Sequence, residues 1–150
     1  MKAFLWMVVA ALGASMWIPA HAAPEQVISR NGVTLVSGGI GLDSQQRLKT
    51  LEPQFNLKLV FTLVEGNYVS DVTVTVSNAA GELLVEHLAD GPFLLMKLPA
   101  GRYGVAAVYG GTRKQLQVTV REGRLRTEYV RWPSNPATDF PLSPEHQQPG

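Results

Sequence analysis

The chain has 150 residues, with 13 Lys and Arg against 12 Asp and Glu, 17% charged residues and no cysteine. A hydrophobic fraction of 45% supports one packed domain and argues against general disorder. Near-neutral charge argues against nucleic acid as a partner. The lack of cysteine excludes disulfides, thiolate metal sites and a cysteine-linked lipid anchor.

The first 22 residues stand apart from the rest. Lys2 supplies a positive start, Ala3 to Ile18 is largely apolar, Pro19 breaks a helix, and Ala20-His21-Ala22 has the small-x-small form of a secretory cleavage site. The apolar run is short against the roughly 20 residues a bilayer span needs. A signal peptide (1–22) cleaved after Ala22 or Ala23 is therefore expected, with a periplasmic or secreted product and no transmembrane span after cleavage. Without Lys2, the mature chain carries twelve basic and twelve acidic residues.

Residues 23–54 read as a lead-in. Asn31-Gly32 is a turn signal, Val33–Val36 a candidate strand, and Ser37-Gly38-Gly39-Ile40-Gly41 a glycine-dense loop. That loop completes neither a P-loop nor G-x-G-x-x-G, so a close backbone approach is the plainer reading. Leu42 to Leu51 is the one convincing helix. Asp43 is its expected N-cap with Gln46 three residues on, Leu48 and Leu51 form its apolar stripe, and Pro53 ends it.

From Phe55 the pattern becomes short alternating strands: Phe55–Val64, Tyr68–Ser77, Leu83–Leu88, Phe93–Leu98, Arg102–Tyr109, Lys114–Val120 and Leu125–Trp132. Glu65-Gly66-Asn67 is expected to turn the first pair as a hairpin. Turn glycines recur at intervals of about ten residues, the spacing of an all-β sandwich or barrel. The expectation is a seven-stranded β-sandwich over 55–132, followed by a disordered proline-rich tail, 133–150.

The most distinctive stretch is Gly91 to Gly111. In Leu98-Pro99-Ala100-Gly101, Pro99 fixes its own φ and makes Leu98 extended. Gly101 is expected at positive φ, and Tyr103 is placed to bury its ring and return its hydroxyl to a backbone group. The Val72-x-Val74-x-Val76 strand, Gly81, Phe93, Leu98-Pro99-Ala100-Gly101-Arg102-Tyr103, Val105, Ala107 and Gly110 resemble the carboxypeptidase regulatory-like domains, which are transthyretin-like β-sandwiches. Together with the glycine loop, the helix and Asn56–Phe61, the pattern is similar to small exported proteobacterial proteins that carry this domain. The resemblance implies a fold and export, and no activity. The related hydroxyisourate hydrolases rely on several histidines and a C-terminal Tyr-Arg-Gly-Ser, which this chain lacks. Adhesin-type isopeptide crosslinking would pair a lysine such as Lys58 with a last-strand asparagine, and Leu125–Trp132 contains none.

Few residues of the chain form a pattern that carries chemistry. There is no G-x-S-x-G elbow. His87 neighbours Glu86, but adjacent strand residues face opposite sides, so a surface or edge histidine is expected. Histidine and cysteine clusters are lacking, and Asp71 and Asp90 form no calcium loop. Accordingly no catalytic, metal or cofactor residue is nominated. Arg113, Lys114, Arg121, Arg124 and Arg126 crowd the last two strands as a candidate interaction face for lipid headgroups or an acidic partner, the plainer reading being a solvated hairpin whose basic edge residues prevent edge-to-edge pairing. The expectation is a non-enzymatic exported module that binds an envelope protein through this face or an open sheet edge. The alternative is a small-ligand or glycan binder using Tyr68, Tyr109 and Trp132, and a hydroxyisourate-hydrolase-like enzyme is the third reading.

Overall fold

The computed structural model describes residues 24–135. The expected signal peptide (1–22) and residues 136–150 of the expected disordered tail lie outside the described residues, as does residue 23. Nine strands are present among the described residues: β1 (Ile28–Arg30), β2 (Val33–Gly38), β3 (Leu57–Leu63), β4 (Val72–Asn78), β5 (Leu83–Ala89), β6 (Phe93–Lys97), β7 (Gly101–Tyr109), β8 (Thr112–Val120) and β9 (Arg126–Trp132). They form a five-stranded sheet, β1-β2-β6-β3-β9, and a four-stranded sheet, β5-β4-β7-β8. The molecule is a mostly β, two-sheet protein with one α-helix, α1 (Leu42–Leu51), among the described residues.

The count of seven strands is corrected to nine. Asn31 and Gly32, both at positive φ (50° and 77°), make a type I′-like turn that folds β1 back on β2. The segment expected as a lead-in thus joins the larger sheet, where β2 pairs with β6. The Glu65-Gly66-Asn67 turn folds Tyr68 and Val69 back on the end of β3, with Leu63 N–H on Asn67 O at 2.8 Å and Val69 N–H on Phe61 O at 3.1 Å, but β4 itself lies in the other sheet. Asp71 at φ 58° delays β4 to Val72, and Tyr68 forms only an isolated bridge to Thr62. β6 and β7 also lie in opposite sheets, so Leu98–Gly101 is an arch rather than a hairpin. Gly101 sits at φ 158°, close to extended, and opens β7. β9 runs parallel to β3, with Leu57 opposite Arg126 and Leu63 opposite Trp132.

The core lies between the sheets. Val72, Val74 and Val76 meet Leu57, Leu59, Phe61, Leu94, Met96, Val105, Val118 and Trp132. A second apolar cluster lies on the outer face of the larger sheet, where Leu48 of α1 and Phe55 cover Val36, Val60, Phe93 and Leu95. The helix has the expected bounds, but not the expected cap. Gly41 holds the N-cap position with no side-chain cap. Ser44 Oγ instead accepts from Gly39 N–H at 2.8 Å and donates to Glu25. Beyond Leu51 the chain continues through a single 3₁₀ turn, Glu52–Gln54, that contains Pro53.

Polar side chains tie the structure at its seams. Buried Asn56 holds both sides of Leu98, accepting from its N–H at 3.0 Å and donating to its carbonyl at 2.7 Å. Tyr103 is buried, and its hydroxyl donates to Pro99 O at 2.6 Å. Asn31 Nδ2 donates to Leu84 O across one open side of the sandwich, and Trp132 Nε1 donates to Thr112 O across the other. The glycine-dense loop packs backbone to backbone: a Cβ on Gly91 would lie 2.2 Å from Gly38 O.

Candidate functional site

The β7–β8 hairpin builds the basic end of the molecule. Its register sets Arg102 opposite Thr119 and Gly101 opposite Val120. Past Val120, the Glu122-Gly123 turn, with Gly123 at φ 70°, pairs Arg121 directly with Arg124. Arg126, the first residue of β9, donates to Thr119 O at 3.4 Å. Thr119, Arg121, Arg124, Leu125 and Arg126 line one groove of about 340 Å³. Arg126 is neutralised by Glu128 at 2.6 Å. Arg102, Arg121 and Arg124 are exposed and have no ion-pair partner among the described residues.

The other two members of the expected basic face lie elsewhere. Arg113 and Lys114 sit at the far end of β8, roughly 26 Å from Arg121 at the rise of an extended strand. Arg113 lies on the outer face, where the Gln115 amide oxygen can take Nε at 3.1 Å and Nη2 at 2.9 Å. Lys114 shares the parity of inward-facing Val118 and Val120 and is half-buried. The structure therefore groups Arg121, Arg124 and Arg126 and separates Arg113 and Lys114 from them. It adds Arg102, which the strand sequences alone did not place there, because its neighbour Thr119 follows only from the β7–β8 register.

Between the two ends, the outer face of the smaller sheet is flat and polar. Thr75 and Ser77 of β4, Gly104 and Ala106 of β7, and Gln115 and Gln117 of β8 line a shallow depression of about 340 Å³. Sheet pairing alternates side chains between faces, so the same strands that fill the core with valine leave this face hydroxyl- and amide-bearing.

At the opposite end of the sandwich, His87 has partners. Its Nε2 lies 2.8 Å from Ser37 Oγ, and Ser37 donates its proton to Asp90 Oδ1 at 2.6 Å. His87 lies on the edge strand β5, as expected, and is half-buried there with partners, because β2 and β5 meet where the two sheets close. Ser37 occupies an inward position of β2, after Val33 and Leu35, and that polar residue in an apolar row was the available signal. Burial lowers the His87 pKa, against the opposing charge of Asp90. With the hydroxyl proton given to Asp90, the neutral imidazole donates from Nε2 to Ser37. Serine is then the centre of the chain and histidine does not act as its base, unlike a nucleophilic triad. Nearby, Glu25 accepts from Arg47 Nε at 2.8 Å and Nη2 at 2.9 Å. These bonds hold its carboxyl down to about 2, although burial pulls the other way.

The three rings considered for ligand binding do not form one exposed cluster. Trp132 is buried against Phe61 and Tyr109, with centroids at 6.2 and 5.6 Å. Tyr68 is exposed and meets Phe93 edge-on at 5.2 Å. Lys58 is paired with Glu52 at 2.5 Å. Among the described residues, no three His, Asp or Glu side chains group as metal ligands, and no helix is long and apolar enough to cross a membrane.

No protein-family model matches the chain, and no curated protein matches it.

Proposed function

We propose that this protein is an exported, non-enzymatic binding module that docks an acidic surface of a cell-envelope protein through Arg102, Arg121 and Arg124. The observation that carries this reading is the direct cross-strand pairing of Arg121 with Arg124. Like charges facing each other across a strand pair destabilise it, and neither arginine has a neutralising partner among the described residues. Two uncompensated guanidiniums beside Arg102 fit carboxylates supplied from outside, which guanidinium binds in bidentate geometry.

Export is supported by the N-terminal leader and fits a cysteine-free domain held by core packing. The buried Tyr103 with its hydroxyl on Pro99 O supports the likeness to carboxypeptidase regulatory-like sandwiches.

A photo-crosslinker at Thr119 of the tagged mature protein, activated in intact cells, tests the proposal. A dominant adduct with one envelope protein is expected, weakened by salt because exposed charges are screened and lost in the Arg121→Glu/Arg124→Glu variant. An adduct unchanged by that double substitution overturns this docking face.

A further inference from the structure

A second surface lies on the larger sheet and is independent of the arginine end. Helix α1 and Phe55 cover the β2–β6 side of that sheet's outer face. The ends of β3 and β9 extend beyond this cover. The parallel register sets Tyr129 beside Val60 and Arg131 beside Thr62. On the other side of β3, Tyr68 bridges Thr62. Tyr68, Thr62, Arg131 and Tyr129 thus share one strip.

Its two tyrosines are more than half exposed, Tyr68 at 56% and Tyr129 at 55%. Both rings are held in place. The Arg131 guanidinium lies 5.1 Å from the Tyr129 ring centroid, and Tyr68 leans edge-on against Phe93, which Lys58 Nζ approaches at 4.8 Å. Two strand spacings across and two residues along put the tyrosine positions roughly 12 Å apart. Between them Thr62 is 4% exposed, and its hydroxyl is the one buried side-chain polar atom among the described residues without a hydrogen-bond partner. Buried hydroxyls are nearly always paired.

This pattern differs from the continuous apolar centre of a protein interface. Two fixed aromatic platforms are separated by a hydroxyl and an unneutralised guanidinium. A pyranose chain presents the complementary sequence: C–H faces that stack on rings, separated by hydroxyls. Arg131 has no acidic partner among the described residues and would take a sugar carboxylate. We infer that the strip Tyr68–Thr62–Arg131–Tyr129 is a binding site for a carboxylate-bearing polysaccharide.

Affinity electrophoresis of the mature protein in native gels containing polygalacturonate, with neutral dextran as control, tests this. Retardation by polygalacturonate and not dextran is expected. Tyr129→Ala and Arg131→Gln should each weaken it by about tenfold, and Tyr129→Trp should keep it. Both positions are exposed, so an unchanged melting temperature checks the fold. The Arg121→Glu/Arg124→Glu variant should be retarded as strongly as the parent. The inference is overturned if no retardation occurs. It is equally overturned if retardation survives Tyr129→Ala but is lost in the double arginine variant, which would place the polyanion on the other face. Concentration-dependent self-association through Tyr129, without retardation, would also refute it.

Discussion

The two outer faces of the sandwich are made by the same alternation of side chains and end in opposite environments. On the larger sheet, Val36, Val60, Phe93 and Leu95 point outward and are sealed by Leu48 and Phe55. On the smaller sheet, the outward residues include Thr73, Thr75, Ser77, Gly104, Gln115 and Gln117, and no element among the described residues covers them. A strand buried on both faces loses its polar alternation, and a strand buried on one face keeps it. The difference is written in the strands themselves. Phe93-Leu94-Leu95-Met96 is apolar throughout, while Val72-Thr73-Val74-Thr75-Val76 alternates. The helix explains the first kind, and solvent the second.

The seam between the two sheets is the most sensitive place to disturb this arrangement. In the Gly91→Ala variant the new methyl would meet Gly38 O at 2.2 Å, a backbone clash that side-chain movement cannot relieve. A loss of about 3 kcal/mol or more is expected from overpacking of this kind, read by chemical denaturation. On the covered face, Leu48→Ala removes a side chain that is 2% exposed and should lower stability by about 2–4 kcal/mol. On the bare face, Thr75→Ala and Gln117→Ala should each change it by less than about 0.5 kcal/mol. Equal effects on the two faces would break the comparison.

Acid should act on the end of the molecule where β2 meets β5 and Glu25 meets Arg47. Glu25 falls from 4.5 to about 2 in the folded protein. Its contribution is present above pH 4.5 and is lost as pH falls toward 2. His87 is also lowered from 6.5. The unfolded chain binds that proton more readily, so stability declines as pH drops below 6.5. Both shifts point the same way. Melting temperature should therefore fall on acidification in two stages. His87→Gln, which keeps a donor for Ser37, should flatten the stage that sets in below pH 6.5. Glu25→Gln should flatten the stage below 4.5 and lower stability at neutral pH by about 1 kcal/mol, since Arg47 is partly solvated.

Much of this architecture was legible from residue order. The alternating valines, the Asn31-Gly32 turn, the Leu42–Leu51 helix and the Pro99–Tyr103 corner all announce themselves through local stereochemistry. Three features did not. Ile28-Ser29-Arg30 is too short to show a period, so β1 was invisible and β2 lacked its partner. Asp43 looked like an N-cap, but Ser44 already serves the loop amide and Glu25, a partner 19 residues away. The Leu98–Gly101 turn was visible but its crossing was not, because sequence does not reveal whether a turn joins two strands of one sheet or crosses between sheets. The candidate sites share this difficulty. Arg121 and Arg124 are adjacent across a visible turn, but Arg102 reaches them only through sheet register. Ser37 and His87, 50 residues apart, meet only where the two sheets close.

The claim at the centre of the account is that Arg121 and Arg124 are held opposite each other for a partner, at some expense to the free protein. Thermal unfolding of the isolated mature Arg124→Glu variant measures this most directly. The account predicts a melting temperature slightly above that of the parent, by the equivalent of about 0.2–1 kcal/mol, as a like-charge cross-strand pair becomes an opposite-charge one, with docking lost at the same time. A lower melting temperature would contradict it, and would make Arg124 a structural residue of the hairpin.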